Sequence, residues 1–310
     1  MSHHLAMPAP ALRSLLVPLD LSPVSERVVR RAASLPIAAG GTITLLHVVP
    51  GRLSLRARRQ AEADARTALA RQAARAAKAL GPDVSIEHSV SVGSPAAEIA
   101  AQAARLKADL VVMGRGGGRA VRDAFLGSTA ERVIRQARTP ILVVRSPARA
   151  RYRRPVVGLD VDGAAEPVLA MLSLVIPPPR PRVTIVHAHD GPYLGMFYAG
   201  LPTDQREEQE LRLSRSAATQ IAQVVARALR AQKRQSVDVP AFETYVRYGD
   251  PRSVIKAAVK KLDTDLLLLG THAHSGVAHA FLGTVAGDVL RDVRCDVLVV
   301  PPSRPKGRSR

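Results

Sequence analysis

The chain has 310 residues, 46% hydrophobic and 23% charged, and its 45 Lys and Arg against 26 Asp and Glu give a formal net charge of +19. That supplies enough apolar material for ordinary cores, and the absence of any run of 18 apolar residues excludes a membrane-spanning helix. The single Cys295 excludes an intrachain disulfide framework and fits a reducing compartment.

In chain order, the opening MSHHLAMPAPALRS lacks the charged leader and clean apolar stretch of a signal peptide, so a cytoplasmic location is expected. LRSLLVPL at 12–19 reads as a buried parallel strand. Ser22-Pro23 then opens a helix, with serine as N-cap and proline at the first helical position. TITLLHVV at 42–49 is a second strand. The alanine- and arginine-rich run 55–80 has no breaker until Gly81-Pro82, so it reads as one long helix. VSIEHSVS alternates like a more exposed strand, and Ser94-Pro95 repeats the cap-plus-proline helix start. DLVVMG is the fourth strand, 128–137 a helix, and PILVVR the fifth strand.

The same order then recurs: RPVVGLD, a helix near 164–175, RVTIVHA, a long helix near 204–234, FETYVRY, a helix from Pro251, DLLLLG, a helix from Thr284, and DVLVVP. Asp204 and Glu207 have capping-box spacing. Leu211, Ala218, Ile221, Val225 and Leu229 fall on one helical face. Late in the two halves Gly93 matches Gly249, Asp109 matches Asp265 and Phe125 matches Phe281, all 156 residues apart; early on, Asp20 matches Asp160 and His47 matches His187, 140 apart. The second half therefore carries 16 extra residues somewhere in 189–248. A repeat of that length is a domain rather than a solenoid turn. The polar, basic SPARARYRR at 146–154 marks the junction, giving domains 1–149 and 150–310, the second with a basic tail.

Strands alternating with helices require crossovers, hence a parallel sheet covered on both faces. The expected fold is α/β: two tandem Rossmann-like, doubly wound domains, each a five-stranded parallel sheet of order 3-2-1-4-5. In such a sheet ligands bind at the carboxyl ends of the strands where the winding reverses, here between the first and fourth strands. Asp20 ends the first and Gly114 the fourth. After the fourth strand comes GRGGGRAVRDAFLGST, in which Gly114 and Gly117 are followed nine residues later by Gly127-Ser128. The second copy, GTHAHSGVAHAFLGTV, starts at Gly270 and carries Gly283-Thr284 at the same distance. A glycine-rich loop after a buried strand, ending in Gly-Ser/Thr at a helix start, can wrap phosphate groups: small residues let the backbone approach, and helix-start N–H groups point at the anion.

Charge and histidine content point elsewhere only weakly. A net charge of +19 favours anions in general. Aromatics are 3% and Trp is absent, which supplies no base-stacking platform, so no specific nucleic-acid partner is expected. His47 and His187 follow strand interiors and read as structural. His272, His274 and His279 match no zinc spacing and have no cysteine or carboxylate ligand close in sequence, so no metal site is expected. Cys295, just before the last strand, reads as a small buried hydrophobe.

VPLDLSPVSERVV, LLHVV, VGSPAAEIA, DLVVMGRGGGRAVRDAFLGSTAERVI and TPILVV in the first half, and VGLDVD, IVHAH, YGDPRSVI, DLLLLGTHAHSGVAHAFLGTVAGDVL and DVLVV in the second, together resemble the universal stress protein family in a tandem, two-domain form covering residues 10–301. The resemblance implies an ATP-binding, stress-response version of the fold, ATP entering with Mg2+, and a protein that is usually dimeric. It implies that Asp20 meets the nucleoside end of the ligand and that Val48 contacts adenine through its backbone. Gly114, Gly117, Gly127 and Ser128 hold ribose and phosphates, with Met113 and Thr129 flanking the loop. It also implies self-association through the last strand of each domain, within or between chains, and an unidentified regulatory partner. The matching residues of the second half are Asp160, Ala188, Gly270, Ala273, Gly283 and Thr284.

The second half departs from the pattern. Ala273 replaces the second glycine; where a positive φ is needed, a β-carbon costs about 1–2 kcal/mol. Gly158 stands for Pro18, Asp162-Gly163 for Ser22-Pro23, and Ala188 for Val48. The first domain is therefore expected to bind ATP and the second weakly or not at all. No Gly-x4-Gly-Lys-Ser/Thr, His-x-Gly-His or Ser-Gly-Gly-x-Asp-Ser motif is present, and phosphoryl transfer needs metal ligands and a charge clamp beyond a phosphate cradle. The leading reading is a regulatory module acting by nucleotide-dependent conformation or association. An ATP-independent interaction protein with vestigial sites remains as an alternative, as does slow ATP hydrolysis or self-phosphorylation at Ser128. The stretch DGPYLGMFYAGLPTD reads as packing, a partner patch or a cover over the second site.

Overall fold

The computed structural model describes residues 11–116, 127–136, 138–148, 151–160, 165–189, 202–233, 240–271 and 284–302. The first half runs β1 (Leu12–Pro18), α1 (Ser25–Ala33), β2 (Ile37–Pro50), α2 (Leu55–Ala77), β3 (Ser85–Gly93), α3 (Pro95–Arg105), β4 (Leu110–Gly114), α4 (Ser128–Gln136) and β5 (Ile141–Val144). The second runs β6 (Pro155–Gly158), α5 (Ala165–Val175), β7 (Val183–His189), α6 (Thr203–Lys233), β8 (Phe242–Tyr248), α7 (Pro251–Lys261), β9 (Leu266–Gly270), α8 (Thr284–Asp292) and β10 (Asp296–Val300).

The strands join into a single ten-stranded sheet of order β3-β2-β1-β4-β5-β10-β9-β6-β7-β8. Each half has the expected 3-2-1-4-5 order with parallel neighbours. At the seam β5 and β10 run antiparallel, Leu142 opposite Leu298. The last strands thus pair within the chain, and the carboxyl strand ends of the two halves point to opposite edges of the sheet.

Both faces are covered, as the near-continuous apolar strands require. One core layer packs α1, α2, α5 and α6 on the sheet through Val28, Leu69, Leu169 and Ile221. The other packs α3, α4, α7 and α8 through Ile99, Val133, Ile255 and Val289. Each layer runs across the seam without a break.

The aspartate that precedes each fourth strand has a structural task. Asp109 Oδ2 accepts the backbone N–H groups of Arg13 (2.7 Å) and Ser14 (2.9 Å) at the start of β1. Asp265 does the same for Arg153 (2.6 Å) and Arg154 (3.0 Å) ahead of β6. The histidines are also matched: the Nδ1 atoms of His47 and His187 lie 2.8 and 2.9 Å from the carbonyl oxygens of Leu19 and Leu159. Each imidazole ties the second strand of its half to the end of the first.

Several local readings are corrected. Helix α1 starts at Ser25, with Val24 rather than Ser22 at the N-cap position. Ser94 does occupy the N-cap of α3, with Pro95 following, but its side chain makes no capping bond. Helix α6 begins at Thr203, so Asp204 lies inside its first turn and not at its cap. Its buried stripe is Ala217, Ile221, Val225 and Ala228, whereas Leu211 is 51% exposed. Strand β2 starts five residues before the expected 42, because Gly40, at φ +74°, lets the chain kink and add a pairing of Ile37 with Leu12.

The seam carries a buried charged cluster. Asp296 is fully buried. Its Oδ1 accepts from the N–H groups of Arg145 (2.8 Å) and Ser146 (2.9 Å), and its Oδ2 from the Tyr152 hydroxyl (2.8 Å). Arg31 Nε lies 3.0 Å from Oδ2, an ion-pair contact rather than an aligned hydrogen bond, and its guanidinium sits 4.2 Å from the Tyr152 ring centre. Burial pushes the Tyr152 phenol well above its usual pKa, so it stays protonated and donates. The Arg145 side chain donates to the carbonyls of Val293 (2.6 Å) and Leu290, finishing the end of α8. The first-half counterpart of Asp296 is Pro140, so the cluster has no symmetric mate.

Candidate nucleotide site

In the first half β1 ends at Pro18, and the N–H of Leu19 adds one further bond to the Leu46 carbonyl (2.8 Å). Asp20 follows, then Leu21 at φ +60°, an uncommon conformation for a bulky residue. That kink turns the chain so that Asp20 Oδ1 accepts from the N–H of Ser22 (3.0 Å) and the hydroxyl of Ser25 (3.0 Å). Partial burial would raise the Asp20 pKa, but the hydrogen bonds from Ser22 and Ser25 outweigh it and hold the carboxyl below its ordinary value. The residue remains exposed, so an ionised carboxylate stands at the edge where β1 stops.

Val48 lies on the neighbouring strand. Because the Leu46 carbonyl faces β1, Val48, two residues on, turns its N–H and C=O to the same side, past the point where β1 has ended. Its side chain is buried, so the backbone is what it offers.

Across the winding reversal, Met113 is buried and Gly114 closes β4. A Cβ on Gly114 would sit 3.3 Å from Val28 Cγ2 of α1. Gly116 adopts φ +75°. The loop then closes on itself, since the Gly127 N–H donates to the Arg115 carbonyl (2.7 Å). A Cβ on Gly127 would fall 2.8 Å from that carbonyl oxygen and 3.1 Å from Gly116 C, a clash with backbone that no rotamer relieves. Helix α4 begins directly afterwards at Ser128, which is exposed, with Thr129 half-buried and Ala130 buried. Its first regular bond runs from the Glu131 N–H to the Gly127 carbonyl (3.1 Å), so the amides of Ser128, Thr129 and Ala130 precede the helical ladder. Gly127 therefore serves by close approach, its own N–H being occupied, and the donors at this corner are those of the next three residues.

Gly117 lies outside the described residues, as do Ala273, Gly283, Asp162, Gly163, the three histidines at 272, 274 and 279, and 190–201. Sequence reasoning missed Gly116. It is one of three consecutive glycines, and identity alone does not say that it takes a positive φ. At the 156-residue spacing its counterpart is His272, one residue before Ala273.

The second half presents a different corner. Asp160 is exposed after β6, and Ala188 and Gly270 are half-buried at the ends of β7 and β9. Thr284 begins α8. A Cβ at Gly158 would meet Leu269 Cδ2 at 2.8 Å, so the end of the Leu269 side chain would have to shift. Helix α6 has 31 residues against 23 in α2, and aligning their ends places the extra turns at its start. One turn beyond them, His189 Nε2, next to Ala188, pairs with Ser214 Oγ at 2.9 Å, and its ring packs on Tyr248 at 5.6 Å. The lengthened helix is thereby pinned to the strand ends beside the position matching Val48.

The first-half corner offers anion donors and a carboxylate. Among the described residues nothing is hydrogen-bonded to the Ser128 hydroxyl as a base, and no three metal-ligating side chains come together. No helix among them is long and apolar enough to cross a membrane.

The chain matches the universal stress protein family over residues 11–145 and again over 151–301, and it belongs to that family. It is 35% identical over 71 residues to universal stress protein E of Escherichia coli, a stretch covering 23% of this chain and 22% of that protein. A universal stress protein of Methanocaldococcus jannaschii is 46% identical over 66 residues, 21% of this chain and 39% of the relative. These matches thus span well under half the length of the relatives. A universal stress protein from Archaeoglobus fulgidus, of known crystal structure, superposes with a TM-score of 0.65 at 17% identity, over 93% of this chain and 98% of that one. At that identity the likeness is one of fold.

Proposed function

We propose that the first half binds an adenine nucleotide, ATP with Mg2+, and that the protein acts by nucleotide-dependent conformation or association rather than by turnover. The observation that carries this reading is the corner at Gly114–Gly116 and Gly127–Ser128. Backbone approaches backbone there with no room for a β-carbon, and a helix start with three unladdered amides opens beside it. Phosphates are recognised by just such donors. Asp20 would meet ribose hydroxyls with its ionised carboxylate, and the Val48 backbone would meet the adenine edge. The second half is degenerate: a lengthened α6 is bonded through Ser214 to His189 at the end of β7, and His272-Ala273 stands where the first half has two glycines. A reducing cytoplasmic setting agrees with the lone buried cysteine. Calorimetric titration with magnesium-ATP tests the site. Wild type should bind and Gly127→Val should not, with thermal unfolding showing both folded; equal affinity in the two proteins would move the site elsewhere.

A further inference from the structure

The described residues leave four large apolar side chains exposed, and three of them, Val24 (44%), Leu53 (36%) and Leu55 (55%), lie at the starts of α1 and α2. Val24 precedes α1, and Leu53 and Leu55 flank the Ser54 cap of α2. Helices α1 and α2 follow the adjacent strands β1 and β2, bury Val28 and Leu69 in the same core layer and pack on each other, so both start at the carboxyl edge of the sheet. The α2 start is complete in itself, with Ser54 Oγ accepting from the Ala57 N–H. Its buried stripe is Ala65, Leu69, Ala73 and Ala76; Leu55 is in line with Ala73, about five turns earlier, yet is left uncovered at the helix start. The fold therefore leaves these side chains uncovered. Arg52, Arg56 and Arg59 are interleaved with them, all exposed and none in an ion pair among the described residues.

We infer that the starts of α1 and α2 form a docking surface for an acidic, leucine-bearing segment of another protein. Apolar anchors interleaved with exposed arginines match such a segment: the leucines desolvate one another while the guanidiniums take carboxylates in two-point bonds. The other occupants fit less well. Two copies of a chain with net charge +19 repel. An interfacial membrane helix lays its apolar face in lipid, whereas that face of α2 is already on the sheet. Single-stranded nucleic acid wants aromatic platforms, and residues 51–59 contain none. The inference does not rest on nucleotide binding, and loss of ATP binding leaves it standing.

The test uses the full chain and a short labelled peptide with glutamates around two leucines, followed by fluorescence anisotropy at physiological salt. Binding should weaken at least about tenfold in Leu53→Ser/Leu55→Ser, in Arg52→Gln/Arg56→Gln/Arg59→Gln, and when the peptide leucines become serine. It should be unchanged in Leu211→Ser, which alters the exposed leucine of the other half. Unaltered binding by the leucine variant overturns the inference, because charge alone would then be acting. So does a peptide that fails to bind, or an arginine-dependent preference for duplex DNA or phosphatidylserine vesicles over the peptide. Unchanged thermal unfolding of each variant keeps the comparison valid.

Discussion

At Gly127 a single hydrogen atom decides whether the glycine loop can close. Even alanine there places a carbon 2.8 Å from the Arg115 carbonyl, so the loop base must open. Gly127→Ala should lower ATP affinity at least about tenfold, the scale set by about 1–3 kcal/mol of local strain, with little loss of thermal stability. Calorimetry beside a melting curve checks both. Asp20 makes a pH prediction. Its folded pKa is depressed by the bonds from Ser22 and Ser25, so its contribution to stability is full above its unfolded pKa and is lost as pH falls through the folded one. In Asp20→Asn the fall in stability below about pH 4 should be shallower than in wild type, measured by denaturant midpoints across pH. Identical pH profiles would remove Asp20 from the turn. At Cys295 burial pushes the thiol pKa up to about 12, so native protein should resist alkylation at pH 8 and react only when unfolded. At this scale the sequence disclosed which residue types sit at the corner. It did not disclose that Gly116 takes a positive φ, because that depends on the closure of Arg115–Gly116 on Gly127.

Among the elements, the strand order and nearly every strand were legible, because buried parallel strands are continuous apolar runs that little else resembles. Helix starts were less so. Ser22-Pro23 carries the signature of a cap, yet the chain needs two more residues to turn from Leu21, and Asp20 supplies the side-chain bond. The face of α6 was misplaced toward Leu211 because the periodicity alone does not show where the sheet beneath it ends. The Asp109 and Asp265 staples were visible only as a recurring letter before each fourth strand, since their partners lie about a hundred residues away in sequence. Asp109→Ala leaves the partly buried amide of Ser14 and the exposed amide of Arg13 without the carboxylate and should cost about 1–3 kcal/mol, read as a lower denaturant midpoint. A change within error would mean that water replaces the carboxylate freely.

The whole molecule is two repeats fused through their last strands into one sheet, with core layers that cross the seam. Two consequences follow. The one-sided cluster around Asp296 should make the halves unfold together. Asp296→Ala removes the acceptor of the Arg145 and Ser146 amides and of the Tyr152 hydroxyl and the carboxylate beside the buried Arg31 guanidinium, and should cost about 3–5 kcal/mol, whereas an exposed pair such as Arg30–Glu26 should contribute almost nothing. The antiparallel seam also sends the two candidate sites to opposite edges, so nucleotide held by the first half leaves the other edge to the altered corner built from α6, His189 and Tyr248. Nucleotide stoichiometry tests this asymmetry most directly. The protein is purified, denatured, and the adenine nucleotide released is identified and counted per chain, with a magnesium-ATP titration beside it. One nucleotide per chain, lost in Gly127→Val, is the expected result; two per chain would contradict the degeneracy of the second half, and none, with no binding on titration, would contradict the nucleotide site itself.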